Sequence, residues 1–337
     1  MRLEVPPETD FGRVARFLAE LAAFDQASEV TLDFAGVGFT PPAWLVVMGG
    51  ALRRLRREHP ELKCRAVNFR HMTYAAHVGF FDHFGLRFGL KQGEAKGSDT
   101  YVPLIERETD DVRRTAALEL IEVGDAIHAD AERLATILTH QTEGDLQDAL
   151  AYSVREIIRN VVEHSEADSY TFAAQYWPAR GMVELVVSDQ GIGLAESLGE
   201  NPRLTIADDA DALTHAIEPG TSSKAWKSSK RDNAWANSGY GLFVTERLCR
   251  SGEGSFELMS GERLLRTSTR RREVIETDWP GTVVVLRLDT RDLGRLDDRL
   301  AELNAEGRQI ETARKGYADG PSRASQTSKP TTWKGKR

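Results

Sequence analysis

The feature of this 337-residue sequence that most limits its fold is a pair of strand-like segments joined by a short turn. SYTFAAQYW begins at Ser169, GMVELVVSD begins at Gly181, and the turn PARG connects them. Both segments are rich in the apolar, aromatic and β-branched residues that favour strands. The second segment runs directly into SDQGIGL, in which an acid is followed by two glycines. Such a turn lets the main chain approach a ligand closely while the carboxylate binds it.

A helix is predicted just before these strands, in the segment YSVREIIRNVVEHS from Tyr152 to Ser165. Its apolar residues form a broad face for a core, and Glu156, Asn160 and Glu163 follow one flank of that face. Residues three or four apart in a helix are neighbours on its surface. At this point two interpretations remain open: an ordinary solvated helix surface, or one wall of a nucleotide site.

A second glycine-containing segment, NSGYGLFVTERL, follows a long polar stretch. We expect an amphipathic helix to begin near Leu242, directly after Gly239 and Gly241. A glycine loop that opens a helix can bind anions, because free main-chain N–H groups and the positive end of the helix dipole point at the ligand. Two further strand segments, SFELMSG and GTVVVLRLD, complete this part of the chain.

The order of these segments resembles that of a known superfamily. EIIRN on a helix, DQGIG after a strand, GYGL before a helix and GTVVV in a late strand resemble the N, G1, G2 and terminal boxes of the GHKL superfamily of ATP-binding domains. The resemblance covers about residues 146–290. It implies a two-layer α/β sandwich of the GHKL (Bergerat) type and binding of Mg-ATP.

The resemblance also implies a role for individual residues. Asn160 matches the ligand of Mg²⁺, and Glu156 matches the catalytic glutamate that polarises the attacking water or hydroxyl. Asp189 matches the acid that recognises the adenine amino group, and Thr282 matches a threonine near the adenine. The remaining matches are glycines that shape the adenine pocket or hold the phosphates: Gly191, Gly193, Gly239 and Gly241.

The first 90 residues alternate between strand and helix patterns, which predicts a small mixed sheet with helices packed against it. The segment EVTLDFAGVGFTPPAWL resembles a STAS domain, in which a phosphorylatable serine begins a helix. Here Pro41, Pro42 and Ala43 occupy the corresponding positions, and the nearest hydroxyl belongs to Thr40. We therefore expect a STAS-like scaffold without its phospho-switch. Proline at the first turn is also explained by helix initiation alone.

These patterns predict an α/β protein with four regions: a STAS-like domain at 1–92, a linker and connecting helix at 93–145, a GHKL ATP-binding domain at 146–305 and a basic disordered tail at 306–337. From Ala313 onward there are seven lysine and arginine residues and one acid, which gives this segment a charge of about +6. Since the net charge of the chain is −8, the rest of the chain carries about −14. An acidic body disfavours general nucleic-acid binding. The longest apolar run is too short for a membrane span, and we expect a cytoplasmic protein.

Two hypotheses about function follow. In the first, a regulatory protein of histidine kinase or anti-sigma kinase-like type binds ATP and Mg²⁺ and hydrolyses ATP or transfers its γ-phosphate to a partner protein. In the second, ATP gates a protein-interaction module with little or no turnover. The identity of the partner and the presence of a homodimer remain open.

Overall fold

The computed structural model describes residues 1–7, 11–22, 29–139, 143–223, 239–250, 253–291 and 296–315. It is a mixed α/β structure with one parallel and one antiparallel sheet. The strands are β1 Arg2–Glu4, β2 Glu29–Asp33, β3 Lys63–Val67, β4 Tyr101–Glu108, β5 Ser169–Trp177, β6 Met182–Asp189, β7 Ser255–Ser268 and β8 Arg272–Asp289. The helices are α1 Phe11–Ala22, α2 Pro42–Glu58, α3 Thr73–His77, α4 Phe80–His83, α5 Thr109–Glu119, α6 Val123–Thr139, α7 Asp145–His164, α8 Leu194–Gly199, α9 Asp209–Ala216, α10 Gly241–Cys249 and α11 Leu296–Lys315.

The N-terminal strands form a three-stranded sheet in the order β1-β2-β3. We predicted a mixed sheet here, but all three described strands are parallel. The reason is that α1 lies between β1 and β2 in the chain and α2 lies between β2 and β3. A connection that contains a helix is long enough to return the chain to the same end of the sheet.

The remaining strands form an antiparallel sheet in the order β4-β5-β6-β8-β7. One face packs against α7 and α10, and the other packs against α1 and α2 of the N-terminal unit. The central strand β6 is therefore buried along almost its whole length. Burial on both faces explains why its sequence is nearly continuously apolar around Glu184.

The N-terminus of α2 is fixed to this sheet by a buried hydrogen bond. The Ala43 main-chain N–H donates to Oε1 of Glu184 over 2.8 Å, and the Arg287 Nε donates to Oε2 of the same carboxylate over 2.6 Å. The first N–H groups of a helix have no partner within the helix, so the carboxylate supplies one. Thr40, the residue with the hydroxyl nearest to the STAS-like position, is buried.

Segment 93–145, predicted as a linker and connecting helix, contributes elements of its own to the antiparallel sheet unit. β4 pairs with β5 as an edge strand, and α6 packs along α7. The glycine within this segment, Gly124, suggests from the sequence an interruption of the connecting helix, but the helical stretch breaks instead at Leu120, whose φ is 55°, and Gly124 lies within α6. The division of the chain at the predicted domain boundaries stays a prediction.

Some elements lie where the sequence patterns gave no sign of them. The short helices α8 and α9 occupy part of the polar stretch after Leu194, and β7 and β8 form a hairpin much longer than SFELMSG and GTVVVLRLD. Residues 306–315, the first part of the predicted disordered tail, are helical and belong to α11. The rest of that tail and the lysines from Lys224 to Lys230 lie outside the described residues. Within the described ranges, no helix has both the length and the apolar character that crossing a bilayer requires.

Candidate functional site

Helix α7 forms one wall of a cavity of about 810 Å³, which is open to solvent on one side. Glu156 and Asn160, one turn apart, both line it. Glu163 does not line it, and its Oε1 accepts a hydrogen bond from the Arg159 Nε over 2.9 Å. Of the three polar side chains on this flank of the helix, two therefore line the cavity and the third forms an ion pair.

The cavity brings together residues from four separated segments of the chain. Seven of the eight predicted site residues line it: Glu156, Asn160, Asp189, Gly193, Gly239, Gly241 and Thr282. Apolar side chains of the core complete the walls, including Ile157, Val187 and Val284. A concave site with an apolar lining and a few convergent polar groups is the usual form of a small-molecule site.

Gly191 is the predicted residue that does not line the cavity, and its position in the loop explains why. A side chain at position 191 would collide with the main-chain oxygen of Ser165, which also accepts a hydrogen bond from Ile192 N over 2.7 Å. Gly191 thus allows the loop after β6 to pack on the end of α7. Its neighbour Gly193 reaches the cavity instead.

Asp189 ends β6 at the floor of the cavity and is only 2% exposed. Burial raises the pKa of its carboxyl to about 7, although main-chain N–H groups of Gly191 and Thr282 donate hydrogen bonds that act in the opposite direction. The contact to Gly191 N is 3.0 Å. A carboxyl held in this way is shielded from water and fixed in orientation. When it is ionised, it can accept hydrogen bonds from an amino group of a ligand.

Two residues that sequence reasoning missed support Asp189 and its loop. Gly281 has a φ of +81°, and a Cβ there would lie 2.5 Å from Asp189 Oδ1. The Ser260 hydroxyl donates to Gly281 O and accepts from Leu194 N, each over 2.8 Å. A glycine directly before Thr282 was visible in the sequence, but only the fold brings it against the carboxylate.

At the other end of the cavity, Glu156 lies against the glycine segment that opens α10. A side chain at Gly241 would collide with Oε2 of Glu156. The other oxygen, Oε1, accepts hydrogen bonds from Nε and Nη2 of the buried Arg155, over 3.1 and 2.5 Å. The ion pair therefore fixes the carboxylate and leaves Oε2 on the side of the α10 N-terminus.

Gly239 is held in the left-handed region, with φ of +70°, against the main chain of Thr221. Its carbonyl oxygen accepts a hydrogen bond from Gly220 N over 3.0 Å. Thr221, Ser222 and Ser223 then line the cavity, and Ser223 Oγ lies 3.3 Å from His164 Nδ1. The sequence placed these hydroxyls in an undifferentiated polar stretch, where only their proximity to glycine hinted at a role.

The residues that line the cavity fit a magnesium ion that is held mainly by the phosphates of a bound molecule and only weakly by the protein. Among the described residues, no group of three or more His, Cys, Asp or Glu side chains is arranged to hold a metal. The half-buried Asn160 amide lines the cavity and makes no hydrogen bond within the described part of the chain. A free amide oxygen suits Mg²⁺, which usually takes few protein ligands and completes its shell with phosphates and water.

The cavity thus has an acid at its floor, an amide and a carboxylate on α7, and a glycine segment at the start of α10. A scan of the chain against models of protein families finds no match, and a search of curated proteins finds no relative.

Proposed function

We propose that this protein binds Mg-ATP in the cavity and transfers the γ-phosphate to water or to a hydroxyl group of a regulatory partner protein. The observation that carries the proposal is the convergence of seven predicted residues, from four separated segments, on one cavity. The antiparallel sheet covered by α7 and α10 supports a GHKL-type domain, and the parallel sheet with α1 and α2 supports a STAS-like unit beside it.

The base would bind at the floor of the cavity. An ionised Asp189 accepts hydrogen bonds from the exocyclic amino group of adenine, which guanine lacks at that position. Thr282 borders the same region, and Val187 and Val284 offer apolar contact to the ring faces. The low exposure of Asp189 makes this hydrogen bond stronger than it would be in water.

The triphosphate would lie toward α10. The first N–H groups of this helix and the positive end of its dipole favour phosphate oxygens. Gly239 and Gly241 let the main chain at this end pack tightly, since a Cβ at Gly239 would collide with Thr221 and a Cβ at Gly241 with Glu156. The hydroxyls of Thr221, Ser222 and Ser223 border the same end.

Asn160 would hold Mg²⁺ together with phosphate oxygens, and the ion when bound neutralises charge on the triphosphate. Oε2 of Glu156 orients the attacking water or hydroxyl and accepts its proton. The attacking oxygen forms a bond to the γ-phosphorus while the bond from that phosphorus to the β–γ bridging oxygen breaks. ADP leaves with the electron pair of the broken bond.

Calorimetric titration with Mg-ATP and Mg-GTP tests the proposal. We expect the native protein to prefer ATP by at least tenfold and the Asp189→Ala variant to lose this preference along with most of its affinity. Asn160→Ala should weaken binding only when Mg²⁺ is present. A native protein that binds neither nucleotide, or an Asp189→Ala variant that still prefers ATP, would contradict the proposal.

A second candidate function is an ATP-gated interaction module with little turnover. The hydrogen bonds from Arg155 to Glu156 favour it, because they engage one of the two carboxylate oxygens. In that case the protein with its co-purified partner releases no phosphate from ATP, while ATP changes the amount of partner retained compared with ADP. Phosphate release or transfer that Glu156→Gln abolishes would instead support the first function.

A further inference from the structure

A second cavity lies on the opposite face of the antiparallel sheet, where α2 and α4 of the N-terminal unit approach it. Together with its open mouth it takes up about 630 Å³. Helix α2 contributes Arg53 and Arg57, and α4 contributes the buried His83. The cavity belongs to both units, so neither can form it alone.

The sheet side of this cavity presents hydroxyl groups. Thr171 on β5 and Ser188 on β6 are directly opposite each other in the strand register and both line the cavity. Neither hydroxyl makes a hydrogen bond to another residue in the part of the chain that the structure describes. A polar ligand in the cavity would supply the partner.

Besides Asp189, two acids and two arginines line the cavity, and they are not all paired. Arg53 Nη1 donates to Glu106 Oε2 over 2.6 Å, and the Ser169 hydroxyl donates to Glu106 Oε1 over 3.0 Å. Arg57 and Asp168 also line the cavity, and neither side chain forms an ion pair or hydrogen bond with a described residue. Apart from Asp189, the lining therefore offers one exposed, unpaired charge of each sign, Arg57 and Asp168.

We propose that this cavity binds a small zwitterion of the amino-acid class. Its carboxylate would pair with Arg57, its ammonium group with Asp168, and its polar side chain with the hydroxyls of Thr171 and Ser188. A simple anion or a simple cation leaves one of the two charged side chains without a partner. An apolar molecule leaves the hydroxyls unsatisfied and loses their hydration.

The position of the cavity gives the ligand a role, which rests on the proposed function. Asp189 lines both cavities, and Gln190 and Trp279 line the second one. A ligand in the second cavity therefore lies directly behind the residue that would recognise adenine. The amino acid acts as an effector that changes the affinity for ATP.

Calorimetry without nucleotide tests the site itself. The probes are the twenty free L-amino acids, first ranked by the thermal shift that each produces. For serine the matched probes are ethanolamine, which lacks the carboxylate, and 3-hydroxypropanoate, which lacks the ammonium group. We expect at least one amino acid to bind and its single-charge analogues to bind at least tenfold more weakly. Absence of binding by all twenty, or equal binding of the analogues, overturns the proposal.

Variants of the lining residues check that binding occurs in this cavity. Arg57→Met and Asp168→Asn should each weaken the amino acid by at least tenfold, and Thr171→Val should weaken it to a smaller extent. Arg87→Met is the matched control, because Arg87 is an exposed arginine that does not line the cavity. Binding that survives both charge-removing variants places the ligand elsewhere and overturns the proposal.

The effector role is tested by titrating Mg-ATP with and without the saturating amino acid. We expect the dissociation constant for ATP to change at least threefold, and the dissociation constant for the amino acid to change by the same factor when ATP is saturating. If ATP does not bind while the amino acid does, the proposed function fails and the site stands. If both bind without affecting each other, the effector role is wrong.

Discussion

The indole nitrogen of Trp279 donates a hydrogen bond to the main-chain oxygen of Asp189 over 2.9 Å. Trp279 is 2% exposed, and its ring lies against Gly50 in the middle of α2. The Gln190 side chain also reaches the Gly50 carbonyl oxygen, over 3.4 Å. The N-terminal unit is therefore in contact with the strand end that carries the acid at the floor of the first cavity.

Substitution Gly50→Ala should weaken nucleotide binding without unfolding the protein. The new Cβ would lie 2.7 Å from Trp279 Cη2, so the ring must move and its hydrogen bond to Asp189 changes. The higher helix propensity of alanine, about 1 kcal/mol, offsets part of the cost in stability. We expect a loss of affinity for Mg-ATP of about fivefold to tenfold by calorimetry, on the scale of one altered hydrogen bond.

The matched control is Gly36→Ala, because a Cβ at Gly36 meets no atom within 4 Å. Its affinity for Mg-ATP should equal that of the native protein. Equal affinities in both variants would mean that contact between α2 and Trp279 does not influence the cavity.

The raised pKa of Asp189 makes the stability of the protein depend on pH. The folded protein holds a proton on this carboxyl up to about pH 7, whereas an unfolded aspartate releases it near the ordinary pKa of 3.8. The free energy of unfolding therefore falls as pH rises through this interval, by about 4 kcal/mol from this group. Asp189→Asn should remove that decrease, so the variant gains stability relative to the native protein between pH 4 and pH 8.

Urea unfolding at several pH values measures the effect. Asp111→Asn, which removes a largely exposed ion pair with Arg114 on α5, serves as the control and should follow the native curve to within about 1 kcal/mol. A difference between Asp189→Asn and native protein that stays constant with pH would show that Asp189 is ionised throughout.

The sequence predicted best those site residues that lie close together within one segment. Glu156 and Asn160 are one helical turn apart, and Gly239 and Gly241 directly precede a helix, so their proximity within each segment followed from periodicity. That the segments converge on one cavity depends on strand order, which local patterns do not encode. Gly281 and Ser260 were missed for this reason, since they meet Asp189 and its loop only across the sheet.

The contact between the two units was also beyond local patterns. Glu184 stands in an apolar strand, where a lone acid gives no indication of its partner, and the fold places it at the first turn of α2. The predicted strands were shorter than β7 and β8, because charged residues such as Arg263 and Glu276 interrupt the apolar pattern. In the structure these two residues lie opposite each other in the hairpin, whose strands continue without an unbroken apolar pattern.

Substitution Glu156→Gln should separate turnover from binding. Glutamine keeps the size of the side chain but cannot accept the proton of the nucleophile. We expect the rate of phosphate release or transfer to fall by about 10²- to 10⁴-fold, with ATP affinity within about threefold of native. Glu163→Gln, on the same helix but outside the cavity, should keep the native rate. Similar rates in both variants would exclude Glu156 as the base.

Substitution Glu184→Ala should destabilise the two units together. The carboxylate, 3% exposed, accepts hydrogen bonds from Ala43 N and from Arg287, so its loss leaves a buried N–H and a guanidinium without this partner. Breaking a buried ion pair typically costs about 3–5 kcal/mol. In urea unfolding we expect a loss of this size, with a single transition for both units. Glu253→Ala, an exposed partner of Arg291, should change stability by less than about 1 kcal/mol.

Two glycines with almost the same backbone conformation separate backbone strain from contact with Asp189. Gly93 has a φ of +82° and open space where a Cβ would lie, whereas Gly281 has a φ of +81° and lies against the Asp189 carboxylate. Alanine at Gly93 should cost about 1–2 kcal/mol of stability from strain alone. Alanine at Gly281 must also displace Asp189 Oδ1, so it should cost clearly more and weaken ATP binding as well. Equal costs in urea unfolding, with unchanged ATP affinity, would mean that the Asp189 loop can move without consequence.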